Sequence, residues 1–87
     1  MHVFCIVLHL VCWTRIDDVH GFGGNPHSLE NVEECQAACI KNDTCVALDW
    51  EPGNIGKTCW ILASSEIRNT TQEGVISHYE LRRACRG

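Results

Sequence analysis

The sequence predicts a small domain of the α+β class that disulfide bonds hold together. Seven cysteines occur in 87 residues, a density close to that of short secreted scaffolds. One segment has the periodicity of a helix, and several shorter segments have the pattern of strands. A chain of this length is near the lower limit for stability from a hydrophobic core alone, so cross-links are expected to contribute.

The composition is that of a folded protein, and its charge argues against nucleic acid as a partner. Hydrophobic residues make up 45% of the chain and charged residues 21%, with a net charge of −4. The basic residues cluster only at Arg82, Arg83 and Arg86. This is too little positive charge to follow a phosphate backbone, and it disfavours heparin-like polyanions as well.

Residues 1–11 are predicted to precede the folded domain, which spans residues 12–86. The apolar run from Val3 to Val11 is too short to cross a membrane. Its length fits the apolar part of a secretory signal peptide, but a basic start and a cleavage site are missing. We therefore expect a degraded or truncated signal peptide, and the alternative is a core strand or the tail of an upstream segment. In both cases Cys5 is the odd cysteine and is predicted to be unpaired.

One helix is predicted over Val32–Lys41. Asn31 is a suitable N-cap, and Glu34 is placed to complete a capping box with it. Asn42 is expected to end the helix, because asparagine tolerates the left-handed conformation found at helix ends.

Strands and loops alternate through the rest of the chain. Segments with alternating, β-branched or aromatic residues predict four strands: Trp13–His20, Cys45–Trp50, Lys57–Ala63 and Val75–Leu81. A turn over Glu51–Gly56 makes the second and third of these a hairpin. Segments rich in glycine or polar residues predict two loops: Gly21–His27 and Ser64–Glu73.

Six cysteines form a ladder with Cys-x3-Cys-x5-Cys at its centre. Within it, Cys35 and Cys39 lie one helical turn apart on one face, so they can join the helix to two strands. The ladder and its flanking segments resemble the PAN/apple family from Cys12 to Cys85. The segments that carry the resemblance are Cys12–Thr14, Gly21–Asn25, Glu34–Cys39, Cys45–Trp50, Thr58–Trp60 and Ser77–Leu81.

The resemblance implies an antiparallel sheet curled around one helix, with nested disulfides. The pairs it implies are Cys12 with Cys85, Cys35 with Cys59, and Cys39 with Cys45; sequence alone leaves many other pairings open. It also implies a secreted protein, or the extracellular part of a larger one, that binds another protein or a glycan. Such a domain would not insert into a membrane.

The aromatic residues are either core residues or ligand contacts. We expect core packing for most of Trp13, Trp50, Trp60 and Tyr79, and Trp60 is the best surface candidate because alternation points it away from the helix. Asp49 and His78 are expected to be solvated strand positions, although either residue offers a polar group to a ligand.

Two sequons, at Asn42 and Asn69, predict N-glycosylation in a secreted protein. No cofactor or metal is expected, because a Cys-x2-Cys pair is missing and cysteines in an oxidising compartment form disulfides. No catalytic motif is found, so an enzyme is not expected. The alternative function is a secreted protease inhibitor or toxin-like effector that uses the loop Glu51–Lys57. A third interpretation is a spacer domain without a ligand of its own.

Overall fold

An antiparallel sheet and one helix make up most of the fold in a computed structural model, which describes residues 2–6, 11–70 and 73–83. The elements in chain order are β1 His2–Ile6, β2 Val11–Asp17, β3 Val19–His20, β4 Asn25–His27, α1 Val32–Lys41, β5 Ala47–Trp50, β6 Cys59–Leu62, β7 Arg68–Asn69 and β8 Ser77–Arg83. The larger sheet has the order β1-β2-β8-β5-β6-β4, and β3 pairs with β7 in a second sheet. All of the described pairings are antiparallel. The predicted α+β class is confirmed.

The helix has the predicted bounds, but its two ends differ in detail from the expectation. Asn31 caps the first turn, since its side-chain oxygen accepts a hydrogen bond from the Glu34 backbone nitrogen at 2.9 Å. The Glu34 carboxylate accepts a hydrogen bond from the Glu30 backbone nitrogen at 2.8 Å. The predicted capping box would use the Asn31 nitrogen instead. The prediction of a left-handed end at Asn42 is wrong, because this residue has φ −96° and ψ 109°. Its backbone nitrogen instead donates to the Cys39 carbonyl at 3.1 Å.

Arg83, near the end of β8, completes the helix end. Its guanidinium donates hydrogen bonds to four backbone carbonyl oxygens, those of Cys39, Ile40, Asn42 and Cys45, at 2.8 to 3.3 Å. Since carbonyls at a helix end have no partner within the helix, a positive side chain with several donors is well suited to this position. Arg83 thereby joins the last strand to the end of α1.

The strand predictions need three corrections. The segment Trp13–His20 is divided into β2 and β3 at Asp18, which has φ 63°. The predicted loop Gly21–His27 ends in strand β4, which pairs with β6. Proline is tolerated there because β4 is an edge strand. The predicted loop Ser64–Glu73 contains β7, whose two residues pair with β3.

The segment at the amino end has a strand in the structure. β1 pairs with β2 over the full length of His2–Ile6, which agrees with the alternative interpretation of this segment as a strand. Residues 7–10 lie outside the described residues, as does residue 1. The signal-peptide interpretation and the domain start at residue 12 stay predictions.

Two disulfides fasten the helix to the hairpin that it covers. Cys35 is bonded to Cys59 on β6, and Cys39 is bonded to Cys45 just before β5. These sulfurs lie in the core together with the side chains Trp13, Leu48, Ile61 and Tyr79. The helix therefore packs on one face of the sheet and fills the space around the cross-links with apolar groups.

The opposite face of the sheet carries a row of side chains in register. Because cross-strand partners point to the same side of a sheet, pairing aligns Ile16 with His78, His78 with Asp49, and Asp49 with Trp60. Cys59 and Ile61, the chain neighbours of Trp60, belong to the core beneath the helix. Trp60 thus lies on the face away from the helix, as its position in the strand predicts.

Candidate ligand-binding cavity

A cavity of about 200 Å³ lies on the sheet face away from the helix. Strands β5 and β6 supply part of its lining through Asp49, Trp60 and Leu62. The rest comes from the connections between strands. These further lining residues are His20, Gly21, Gly23, Gly24, Glu51 and Ile76. Hydrogen-bonded strands therefore form one side of the cavity, and residues 21–24, here called the glycine-rich segment, close another side.

The glycine-rich segment approaches the sheet so closely that a side chain at either of two positions would displace Leu62. A Cβ atom at Gly24 would lie 2.7 Å from Leu62 Cδ2 and 3.2 Å from Trp60 Cβ. One at Gly21 would overlap the Leu62 side chain as well. Glycine permits this approach because it has no Cβ. The glycines here form a wall of the cavity, which agrees with the prediction of a tight connection.

A buried carboxylate links the glycine-rich segment to the sheet. Asp49 accepts a hydrogen bond from the Gly21 backbone nitrogen through Oδ2 at 2.8 Å. Its other oxygen, Oδ1, lies 2.7 Å from His78 Nδ1. Asp49 is 5% exposed and His78 is fully buried. The expectation that both residues are solvated strand positions is wrong, because the segment from β3 to β4 covers this part of the face.

His78 lies between two carboxylates. Its Nε2 atom is 3.6 Å from Glu80 Oε1 and makes no hydrogen bond with the described residues. The carboxylate of Asp49 is an acceptor, so His78 Nδ1 carries a proton and donates it in this hydrogen bond. The glycine-rich wall, Asp49 and His78 form one hydrogen-bonded chain behind the cavity.

The polar side chains that line the cavity are mainly hydrogen-bond acceptors. Glu51 is half-buried, and its carboxylate has no hydrogen bond or ion pair with the described residues. His20 Nδ1 lies 2.9 Å from the Gly21 carbonyl oxygen. Since a carbonyl only accepts, Nδ1 is the donor of this hydrogen bond.

Phe22, in the glycine-rich segment, contacts the side chains of His20 and Arg68. The His20 and Phe22 ring centroids are 5.6 Å apart with an edge-to-face geometry. The Arg68 guanidinium carbon lies 4.8 Å from the Phe22 ring centroid. These two contacts hold the start of the glycine-rich segment against β7.

Only one of the four aromatic and histidine candidates predicted to contact a ligand lines the cavity. Trp60 does so, and it is half-buried. Tyr79 is 5% exposed and belongs to the core. Trp50 packs against that core from its edge. His78 lies behind Asp49 and reaches the cavity only through it.

Several lining residues were not predicted from the sequence. Glu51 was assigned to the turn that the alternative inhibitor function would use, and His20 to a strand, and neither residue was predicted to line a cavity on the sheet. The sequence does contain a signal for Glu51. It lies two residues after Asp49, which places both carboxylates on the same side of a strand and its extension. The glycine-rich segment was correctly expected to be a tight connection, but its position over Trp60 depends on sheet pairing.

Comparison with protein families identifies the fold. The family model described as PAN domain matches residues 12–85. The chain belongs to the PAN domain family. No curated protein and no solved structure matches it. PAN domains are extracellular binding modules for proteins and carbohydrates. In the described part of this PAN domain, no helix has the length and apolar character needed to cross a membrane.

The disulfides of this PAN domain agree with the nested order that the resemblance implies, as far as they are described. Cys35–Cys59 and Cys39–Cys45 are present. Cys12 is disulfide-bonded. Its expected partner Cys85 lies outside the described residues, so the outermost pair stays a prediction, as does an unpaired Cys5.

Proposed function

We propose that this PAN domain is an extracellular adhesion module that recognises a protein or glycan through the cavity beside Trp60. The observation that carries the proposal is a half-buried indole that lines the same cavity as Glu51, a carboxylate without a partner among the described residues. An aromatic ring offers a large contact area, and a carboxylate fixes the orientation of a polar ligand group. This combination favours a binding surface over an inert one.

The scaffold supports a preformed site. The cavity rests on β5 and β6, and disulfides join the helix on the other side of the sheet to β6 and to the residue Cys45 just before β5. Asp49 fastens the glycine-rich wall to the same sheet. A preformed cavity loses little conformational entropy when a ligand binds, which favours affinity.

Binding by wild type and two tryptophan variants, on a glycan array and an array of extracellular proteins, tests this proposal. Trp60→Ala removes the aromatic wall, whereas Trp50→Ala removes a half-buried indole from the core side of the sheet. Both variants are checked for a cooperative thermal transition. We expect Trp60→Ala to lose the array signal and Trp50→Ala to retain it. Equal signals from Trp60→Ala and wild type would refute the cavity as the binding site.

The alternative, a protease inhibitor or toxin-like effector, depends on the loop Glu51–Lys57. Ile55 in this loop is 98% exposed and available to a partner. The loop is made of consecutive turns, since Asn54 N donates to the Glu51 carbonyl and Lys57 N to the Asn54 carbonyl, each at 3.1 Å. Such a conformation differs from the extended segment that a protease active site accepts. Nanomolar inhibition in a protease panel would favour this alternative over the adhesion module.

We propose that both sequons carry glycans when the domain is secreted. Asn69 is exposed on β7. Asn42 is exposed too, and its side-chain oxygen accepts hydrogen bonds from Thr44 N at 3.0 Å and Thr44 Oγ1 at 2.8 Å. Intact-mass analysis of secreted Asn42→Gln and Asn69→Gln variants is expected to show the loss of one glycan each. An unchanged mass after enzymatic glycan removal from the wild type would refute both assignments.

A further inference from the structure

The side chains of the cavity select a ligand that donates hydrogen bonds. Asp49 and Glu51 are acceptors, His20 Nδ1 already donates to the Gly21 carbonyl, and the indole nitrogen of Trp60 is a further side-chain donor among the described lining residues. A sugar hydroxyl both donates and accepts, so a polyol would find few donors among these side chains. A group with several donors and no acceptor fits this lining better. A protonated primary amine is such a group.

The charge of the cavity favours the same group. Two carboxylates line it, and none of the described lining residues is a lysine or arginine. Asp49 is 5% exposed, so its charge is only weakly screened by solvent. The indole face of Trp60 adds a favourable surface for a cation. Anionic sugars would be repelled by these groups.

The apolar part of the lining favours an alkyl ammonium group over an amino sugar. Trp60, Leu62 and Ile76 provide hydrocarbon surface beside the acceptors. An alkyl chain ending in an ammonium group would place its methylenes on this surface and its charge beside the carboxylates. The ring of an amino sugar carries hydroxyl groups that would lose hydration against the same surface.

We propose that this cavity binds the side-chain ammonium group of a lysine on a protein partner. The inference rests on the proposed function of the cavity and names the ligand group that it recognises. Glu51 accepts hydrogen bonds from the ammonium group, the Trp60 face contacts the cation and its stem, and Asp49 adds a second negative charge while it holds the glycine-rich wall in place.

NMR titration of the oxidised, ¹⁵N-labelled full chain tests the inference. The probe is Nα-acetyl-lysine N-methylamide, and its neutral counterpart carries 6-hydroxynorleucine in place of lysine. Glucosamine and glucose are titrated in parallel. We expect saturable shifts at the Trp60 indole N–H and the Gly24 amide with the lysine probe. The hydroxyl counterpart and both sugars should bind at least about fivefold more weakly, since a partly exposed ion pair contributes on the order of 1 kcal/mol.

A pair of charge-neutralising variants locates the effect. Glu51→Gln should weaken the lysine probe at least about fivefold. Glu66→Gln, which neutralises an exposed carboxylate outside the cavity lining, should leave its affinity unchanged. Absence of saturable shifts up to the solubility limit, equal binding of the hydroxyl counterpart, stronger binding of glucosamine, or equal effects of the two variants would each overturn the inference. The array experiment distinguishes the failure of the two proposals. If any of these results occurs while array binding depends on Trp60, the lysine inference fails and the proposed function stands. If array binding does not depend on Trp60, the proposed function fails as well.

Discussion

His78 Nδ1 lies 2.7 Å from Asp49 Oδ1, in the buried layer between the sheet and the glycine-rich wall of the cavity. The two side chains face each other across β5 and β8. Asp49 also accepts the Gly21 backbone N–H. The pair therefore connects the interior of the sheet to the ligand cavity.

Replacement of His78 by leucine should destabilise the fold strongly. Asp49 would lose one of its two hydrogen bonds while its carboxylate stays buried, and removal of one partner of such a pair costs about 3 kcal/mol. Urea unfolding measures the loss. His27→Leu, at an exposed position, is the control and should change stability by less than about 0.5 kcal/mol. Similar losses for the two variants would show that the buried pair does not stabilise the domain.

Tyr79 should make stability depend on alkaline pH. Burial raises the pKa of Tyr79 above 10.0, and the nearby Arg15 guanidinium opposes this rise in part. A raised pKa means that the folded state holds the phenolic proton more tightly than the unfolded state. The contribution of Tyr79 is therefore fully present below the unfolded pKa and is lost as the pH rises through the folded pKa.

Ultraviolet titration can observe this ionisation directly, because the chain has a single tyrosine. We expect the folded protein to ionise above pH 10 and the protein in denaturant to ionise at lower pH. Tyr79→Phe should remove the difference in alkaline stability that this group causes. Coincident titration curves for folded and unfolded protein would contradict the prediction.

Gly24 and Gly53 provide a matched test of the cavity wall. A Cβ at Gly24 would be too close to Leu62 and Trp60, whereas one at Gly53 has no atom within 4 Å. Gly24→Ala should displace the wall, weaken ligand binding and destabilise the fold by about 1 to 3 kcal/mol. Gly53→Ala should be neutral or stabilise it by less than about 1 kcal/mol. Thermal unfolding and ligand titration of both variants check the prediction, and equal behaviour would argue against a closely packed wall.

The two described disulfides should contribute unequally to stability. Cys35–Cys59 has a sequence separation of 24 and Cys39–Cys45 one of 6. Chain entropy then predicts losses of about 3.5 and about 2.4 kcal/mol for the paired serine variants. These losses approach the whole stability of a small domain, so full reduction is expected to unfold it. A reduced sample with a cooperative thermal transition would contradict this expectation.

Local signals in the sequence were enough to predict the helix. A capping residue, two acidic residues in the first turn and a lysine in the last one all indicate the same bounds, Val32–Lys41. The hairpin of β5 and β6 was predicted as well, because alternation and a turn rich in glycine and proline occur close together in the chain.

Features that depend on distant pairing were missed. β4 has three residues, one of them Pro26, and becomes a strand only because β6 lies beside it. The burial of Asp49 and His78 was missed for a similar reason. Alternation assigns a residue to a face of the sheet, but it does not show that a segment 28 residues earlier, at Gly21, covers that face.

Hydroxyl-radical footprinting of the complex tests the central claim most directly. The ligand is the one that the arrays identify, and the oxidation rates of Trp60 and Trp50 are compared with and without it. The account predicts that the ligand slows the oxidation of Trp60 several-fold and leaves that of Trp50 unchanged. An unchanged rate at Trp60 in the saturated complex would show that the ligand binds elsewhere on the domain.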